Sequence, residues 1–152
     1  TGGGLLFAQK YLENEENFII MNADILTDLN IHELVKFQET HLPLATLAVS
    51  DRNSSRKLFF NSEMALKGWM NKNFGETKMA ESNNDFKELA FSGIHCINSS
   101  IFDKIKRRGK FSIMEEYLDL MFENNILGFQ HEARLIDVGR PESVIEAEKY
   151  FK

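Results

Sequence analysis

Two isolated aspartates are the residues of this sequence whose setting most suggests chemistry. Asp24 comes soon after the apolar run at residues 18–21, and Asp137 directly follows Leu135 and Ile136. A charge beside a buried apolar strand is costly unless it is paired or bound to a metal ion. Taken singly, each aspartate is more often a helix cap or a turn residue. Their similar contexts favour a shared Mg²⁺ site, which phosphate oxygens and water would complete.

Two glycine-containing segments are further candidates for contact with a ligand. Residues 1–4 read Thr-Gly-Gly-Gly, and their amide groups suit a phosphate or a base because glycine carries no Cβ. A flexible tag remnant explains this run equally well. Residues 91–93 interrupt an otherwise apolar strand. A glycine there predicts a bulge or the close approach of a ligand, although a plain strand irregularity is equally consistent.

The elements that would position these residues alternate between strands and helices. The four apolar residues 18–21 predict a strand that is buried on both faces, as in a covered parallel sheet. Further strands are predicted at residues 44–49, 57–60, 64–69, 88–98, 126–130 and 134–136. Helices are predicted at residues 5–12, 31–40, 99–107, from Ser112 to about 122, and from Pro141 onward, with a mobile loop at 72–84. This order predicts one α/β unit whose mixed, mainly parallel sheet is flanked by helices.

Composition and charge exclude several classes of function. The chain has 152 residues, a formal net charge of −5 and one cysteine. The negative charge argues against broad nucleic-acid binding, which needs a basic surface. No apolar run approaches the ~20 residues of a membrane span, so we expect no membrane partner and a cytoplasmic, reducing setting. The four histidines show no metal-ligand spacing, and no Ser/His or Cys/His nucleophile arrangement is apparent. His95 and Cys96 are predicted to be structural core residues.

In this order, four segments resemble those of the sugar-1-phosphate nucleotidyltransferases, also called nucleoside-diphosphate-sugar pyrophosphorylases. They are Thr-Gly-Gly-Gly at 1–4, Asn-Ala-Asp at 22–24, Phe-Ser-Gly-Ile at 91–94 and Ile-Asp-Val-Gly-Arg-Pro-Glu at 136–142. Each segment is a weak signal alone, but their order and separations are fairly specific, and the likeness spans nearly the whole chain. The chain looks most like short bacterial members such as the mannose-1-phosphate guanylyltransferase-like, heptose-1-phosphate guanylyltransferase and N-acetylmuramate-1-phosphate uridylyltransferase enzymes.

The resemblance implies a Rossmann-like nucleotidyltransferase fold and a Mg²⁺-dependent reaction. A nucleoside triphosphate would give its nucleotidyl group to a sugar 1-phosphate and release pyrophosphate. Asp24 and Asp137 match the family's catalytic, metal-binding aspartates. The implied substrate-binding residues are Thr1, Gly2 and Gly3 beside the base, Asn22 in the Asn-Ala-Asp motif, and Phe91, Ser92 and Gly93 facing the sugar. Overall likeness favours guanine and a mannose- or heptose-like sugar. Because a phosphate monoester is already ionised, the reaction needs no protein nucleophile or strong general base.

The chain departs from the family pattern in three places. The family's N-terminal Gly-rich triphosphate loop, with its Arg and Lys, is absent, so we expect residues 1–152 to be the C-terminal part of a single catalytic domain, inactive alone. The usual Glu-Lys-Pro sugar site is not recognisable, although residues 67–71 stand near its place. Arg140 replaces the Thr of many relatives.

Two other readings of the sequence stay open. One is a non-catalytic domain that binds a nucleotide sugar as a regulator or partner subunit, and the other is a plain α/β interaction module. A chain that exposes half a sheet is also expected to cover its open edge, for example as a homodimer.

Overall fold

The computed structural model describes residues 1–80, 85–139 and 141–150. None of the helices in these ranges is both long enough and apolar enough to span a membrane. The elements of the described ranges, in chain order, are α1 Gly2–Leu12, β1 Asn17–Met21, β2 Ile25–Thr27, α2 Ile31–His41, β3 Ala45–Ser50, β4 Arg56–Phe60, β5 Leu66–Asn71, β6 Glu76–Met79, β7 Lys87–Asn98, α3 Ile101–Lys104, α4 Ile113–Leu120, β8 Ile126–Gln130, β9 Leu135–Asp137 and α5 Pro141–Tyr150.

At the two best-defined helix starts a side chain caps the first turn, for which the sequence offers Ser112 in one case and either Asp28 or Asn30 in the other. The Asn30 side chain accepts a hydrogen bond of 3.1 Å from the amide of His32 at the start of α2. At the start of α4, Ser112 and Glu115 form a reciprocal capping box. Each cap satisfies amides that the first turn of a helix leaves without a partner. Both predicted helix starts are confirmed.

A seven-stranded mixed sheet forms the centre of the fold. Six of its strands follow the order β6-β5-β4-β7-β3-β8, and the seventh, β1, pairs with β7 beside this order. The long strand β7 pairs with β3 along one edge, and with β4 and β1 along the other. The predicted mixed α/β architecture is confirmed. The expectation of a mainly parallel sheet is not met in the described residues, where β3–β8 is parallel and the other pairs of this sheet are antiparallel. Short hairpin connections such as β4–β5 require antiparallel pairing.

Two apolar clusters cover the two faces of the sheet. Along β3, Leu47 and Val49 belong to one cluster and Ala48 to the other, because successive strand residues point to opposite faces. Tyr117 of α4 fills the first cluster, and Leu34 of α2 fills the second. The sheet is therefore a middle layer between helices, which fixes the position of its strand ends.

The strand predicted at 18–21 exists as β1, but it is not buried on both faces. Phe18 is 7% exposed, whereas Ile19 and Met21 are 39% and 42% exposed. Within the described residues β1 pairs with β7 alone and is an edge strand. The apolar run therefore predicted the strand correctly, but the prediction that both of its faces are buried was wrong.

Two further predictions need correction. The mobile loop predicted at 72–84 contains β6, which extends the β4–β5 hairpin, while residues 81–84 lie outside the described residues. The helix predicted at 99–107 ends at Lys104. The backbone turns extended at Ile105 because the buried carboxylate of Glu116 accepts hydrogen bonds from the Lys106 amide and the Arg107 guanidinium, at 3.1 and 3.0 Å.

His95 is a buried structural residue, as predicted, and it gives the fold a pH dependence. Its Nδ1 lies 2.7 Å from the Tyr117 hydroxyl, and burial lowers the pKa of His95 to about 3 from an ordinary value of 6.5. Between these values the unfolded chain binds a proton that the folded chain excludes, so stability falls as the pH falls below 6.5. We expect a loss of about 1.4 kcal/mol per pH unit from this group.

Urea unfolding between pH 7 and pH 4.5 tests this expectation. The His95→Gln variant removes the titrating group, so its stability should fall less steeply with acidification than that of the unchanged protein. His32→Gln, at an exposed site in the first turn of α2, is the matched control and should keep the original slope. Equal slopes for His95→Gln and the unchanged protein would contradict the prediction.

Candidate functional site

The small second sheet brings together Asp24 and Asp137, the two aspartates predicted to bind a metal ion. Strands β2 and β9 pair antiparallel with Ile25 opposite Asp137, and the Val138 amide donates a 2.8 Å hydrogen bond to the Asp24 carbonyl. A Cβ built on Gly139 would lie 3.0 Å from Asp137 Oδ1 and 3.3 Å from Asp24 Oδ2. The two carboxylates therefore border one small space beside a residue that has no side chain.

The chemistry of this pair suits a magnesium ion. Both carboxylates are exposed, and carboxylate oxygens are the hard ligands that Mg²⁺ prefers. No group of three His, Cys, Asp or Glu that could hold a metal occurs in the described parts of the chain. An ion held by Asp24 and Asp137 would take its other ligands from water and substrate phosphates, as Mg²⁺ commonly does.

Two grooves meet at this aspartate pair. Asp24 lines an open groove of about 820 Å³, and Asp137 lines a more enclosed pocket of about 600 Å³. Asn22 belongs to both. The aspartate pair therefore stands at the junction of two cavities, where two separately bound molecules could meet.

The second pocket, which we call the Arg pocket, has the predicted strand break as one wall. Gly93 has a φ of +76°, and the register of β7 against β3 shifts beside it. The Asn22 amide donates a 2.9 Å hydrogen bond to the Gly93 carbonyl, and a Cβ on Gly93 would lie 2.9 Å from Asn22 Nδ2. The predicted break in the strand is confirmed, and the backbone at Gly93 holds the Asn-Ala-Asp segment against the sheet.

Other residues of the Arg pocket were not among the predicted site residues. Residues 67–71, which stand near the family's usual sugar site, contribute Trp69 and Asn71. The loop between β3 and β4 contributes Arg52, and β4 itself begins with Arg56. The residues that line the Arg pocket include Asn22, Arg52, Arg56, Trp69, Asn71, Ser92, Gly93 and Asp137. Arginines in a polar loop give no sequence signal that separates a pocket wall from ordinary surface.

A buried Ser/His pair, which the sequence analysis did not anticipate, supports the same wall. Ser92 Oγ lies 2.8 Å from His131 Nε2, and both residues are buried. Burial lowers the pKa of His131, so it is neutral at pH 7. In the described residues no carboxylate accepts a hydrogen bond from His131 Nδ1, so the ring lacks the orienting partner of a nucleophilic triad. The contact fixes the Ser92 hydroxyl, and 39 residues of sequence separation hide it from pattern analysis.

The glycines at the start of the chain lie in a helix, whereas the sequence predicts that the helix begins only at residue 5, after a glycine loop. Helix α1 begins at Gly2. A Cβ on Gly2 would lie 2.2 Å from the Phe111 ring, and one on Gly3 would lie 2.2 Å from the Gly109 carbonyl oxygen. These two glycines therefore allow close packing of α1, which corrects the loop prediction. Thr1 lines the open groove with Asn22 and Asp24. Contact with a base stays a prediction for Thr1, Gly2 and Gly3.

Phe91 supports the Arg pocket mainly through its backbone. Its carbonyl accepts a 2.8 Å hydrogen bond from Arg52, and its half-buried ring meets His95 edge to face at 5.5 Å. Phe91 lines the pocket together with Ser92 and Gly93. The structure thus brings the predicted sugar-facing residues together on one wall, and their role toward a sugar stays a prediction. Arg140 lies outside the described residues.

Solved nucleotidyltransferase structures share this fold, among them a putative glucose-1-phosphate thymidylyltransferase from Bacillus anthracis, which matches 95% of this chain and 58% of its own with a TM-score of 0.73 and 13% identity. The crystal structure of HddC from Yersinia pseudotuberculosis complexed with GMP-PN matches 100% of this chain and 62% of its own, with a TM-score of 0.74 and 20% identity. The predicted Rossmann-like nucleotidyltransferase fold is confirmed.

Curated proteins of the same kind also align with the chain. The bifunctional protein GlmU of Methanocaldococcus jannaschii is 25% identical over 99% of this chain and 35% of its own length. The mannose-1-phosphate guanylyltransferase catalytic subunit beta of Xenopus tropicalis is 22% identical over 95% of this chain and 39% of its own length. No protein-family model matches the chain. The resemblance to the sugar-1-phosphate nucleotidyltransferases is confirmed, and the chain spans little more than a third of these curated relatives.

Proposed function

We propose that the chain is the metal- and sugar-binding part of a Mg²⁺-dependent sugar-1-phosphate nucleotidyltransferase. The proposed reaction transfers a guanylyl group from GTP to a mannose- or heptose-like sugar 1-phosphate and releases pyrophosphate. The observation that carries this proposal is the placement of Asp24 and Asp137 around one point, with one groove on each side. Such a junction suits a reaction between two bound phosphates.

The reaction requires positioning and charge neutralisation rather than a protein nucleophile. An oxygen of the sugar phosphate bonds to the α-phosphorus, the α–β bridging P–O bond breaks, and the electron pair leaves with pyrophosphate. When bound, Mg²⁺ screens the negative charge of both substrates. Asp24 and Asp137 would hold that ion, Asn22 would lie between the two substrates, and the wall formed by Ser92 and Gly93 would face the sugar. The sugar phosphate is ionised at neutral pH, so no general base is assigned.

The choice of substrates is supported by the relatives alone. The aligned curated relatives include mannose-1-phosphate guanylyltransferases, and the solved HddC structure contains GMP-PN. No residue of the described chain distinguishes guanine from uracil or one sugar from another. Because the chain spans about a third of its curated relatives, the activity is proposed for the protein in its natural length. A cytoplasmic location and assembly as a homodimer also stay predictions.

Pyrophosphate release by the natural-length protein tests the proposed function. GTP, UTP, ATP, CTP and dTTP would each be combined with mannose, heptose, glucose and N-acetylmuramate 1-phosphates in the presence of MgCl₂. We expect release to be fastest with GTP and the mannose or heptose compound, and to stop when EDTA removes the metal. Preference for UTP would overturn the guanylyl assignment. Release with no pair, despite binding of a nucleotide sugar, would favour the non-catalytic regulator.

A further inference from the structure

Two arginines form a cationic wall of the Arg pocket that the proposed function has not yet used. Arg52 and Arg56 line the same pocket as Asp137, Ser92 and Gly93. An anionic substrate that approached the two aspartates alone would be repelled until a metal neutralised them. Cations that line the same pocket as Asp137 remove part of this repulsion.

Arg52 is an exposed residue whose guanidinium and backbone each make a hydrogen bond. Its Nη2 donates a 2.8 Å hydrogen bond to the Phe91 carbonyl, which lies directly before the strand bulge. The Lys57 ammonium donates a 2.8 Å hydrogen bond to the Arg52 carbonyl and lies 3.9 Å from the Asp51 carboxylate. Lys57 is only 8% exposed. The buried lysine therefore fixes the backbone of Arg52, while the exposed Arg52 side chain is held by its hydrogen bond to the Phe91 carbonyl.

The guanidinium of Arg52 also has the right chemistry for a phosphate. The Arg52 guanidinium lines the same pocket as the Asp137 carboxylate, and an arginine is in effect always charged in a protein. A guanidinium has five N–H donors, and within the described residues Arg52 gives one hydrogen bond, to the Phe91 carbonyl. The planar fork of the remaining donors matches two oxygens of a phosphate.

We propose that Arg52 binds the phosphate group of the sugar 1-phosphate and that Arg56 adds a second cation to the same wall. The assignment to the sugar phosphate, and not to the triphosphate, follows from the pocket that Arg52 lines. That pocket contains the strand bulge and Trp69, whose indole offers a surface for a sugar ring, while Asp24 and Thr1 line the other groove. This inference rests on the proposed function and names the residue that recognises one of its two substrates.

Calorimetric titration of the natural-length protein in MgCl₂ tests the inference without requiring turnover. The ligands are α-D-mannose 1-phosphate, α-D-glucose 1-phosphate and GTP, and the variants are Arg52→Gln, Arg52→Lys and Arg108→Gln. Loss of a charge-assisted phosphate contact should raise the Kd of the sugar phosphate by about 10- to 100-fold in Arg52→Gln. The Kd of GTP should change little. Arg52→Lys keeps the charge but not the planar fork of donors, so its Kd for the sugar phosphate should lie between those of the unchanged protein and Arg52→Gln.

Arg108→Gln is the matched control. The Arg108 guanidinium also donates to backbone carbonyls, those of Ile105 and Arg107, but it is absent from the residues that line the Arg pocket. Its removal should leave both affinities unchanged. Thermal melting of each variant reports its folding, and Arg52→Lys carries the test if Arg52→Gln does not fold.

Three outcomes would overturn the inference. The unchanged protein could bind neither sugar phosphate, the Arg52 variants could bind the sugar phosphate as well as the unchanged protein does, or Arg52→Gln could weaken GTP by the same factor as the sugar phosphate. Failure of the proposed function gives a different result. In that case Arg52-dependent binding of the sugar phosphate persists, but no pyrophosphate is released with any triphosphate.

Discussion

Replacement of Asp24 by asparagine is expected to lower kcat/KM of the natural-length protein by about 1,000-fold, because metal-mediated charge stabilisation is worth several kcal/mol and each 1.4 kcal/mol is a factor of ten. Asparagine keeps the size of the side chain and removes its charge. Asp24 and Asp137 border the same space beside Gly139, so Asp137→Asn should cause a loss of similar size. Because both groups would act through one ion, the double variant should lose much less than the product of the two single losses.

The decisive measurement for Asp24 and Asp137 is the dependence of pyrophosphate release on magnesium concentration. Each single variant should require a higher concentration for half-maximal rate. Both aspartates are exposed, so the free energy of unfolding should change little. Asp103→Asn, an exposed carboxylate in the first turn of α3, is the matched control and should keep full activity. An Asp24→Asn variant with ordinary activity and ordinary magnesium dependence would rule out the proposed metal site.

The sequence predicted those parts of the fold whose causes are local. Strand β3, the caps at Asn30 and Ser112, and the bulge at Gly93 each depend on a few neighbouring residues, and all are found where expected. The pairing of Asp24 with Asp137 was also predicted, because both follow apolar strands and both match family motifs. Asp24 and Asp137 are far apart in the sequence, so the prediction that they lie close together depended on the similarity of their sequence contexts.

The parts that the sequence did not predict depend on partners far along the chain. Glu116 ends α3 by accepting hydrogen bonds from residues about ten positions earlier, and no local pattern at 99–107 contains that information. His131 meets Ser92 only because β8 and β7 both flank β3. Gly2 and Gly3 looked like a loop, since glycine is a poor helix former. In the structure they belong to α1, where the absence of a side chain lets Gly3 approach the Gly109 carbonyl and Gly2 approach the Phe111 ring.

Gly93→Ala is expected to be the most destabilising substitution at the site, at about 2–5 kcal/mol. A residue with a side chain at φ +76° costs roughly 1–2 kcal/mol. The new methyl group would also lie 2.9 Å from Asn22 Nδ2 and 3.3 Å from Ile25 Cγ1, and such overpacking typically costs about 1–3 kcal/mol. Urea unfolding measures the total, and nucleotidyl transfer should fall as well because Asn22 is displaced from the junction of the two grooves.

Gly75→Ala separates the two causes of the Gly93 effect. Gly75 also has a positive φ, +66°, but a Cβ added there would meet nothing within 4 Å. This variant pays only the backbone cost of roughly 1–2 kcal/mol and should retain full activity. The difference between the two variants therefore measures how tightly the strand bulge is packed against Asn22. If Gly93→Ala cost no more than Gly75→Ala and kept its activity, the bulge would have no role in placing the Asn-Ala-Asp segment, and Asp24 would owe its position to the pairing of β2 with β9 alone.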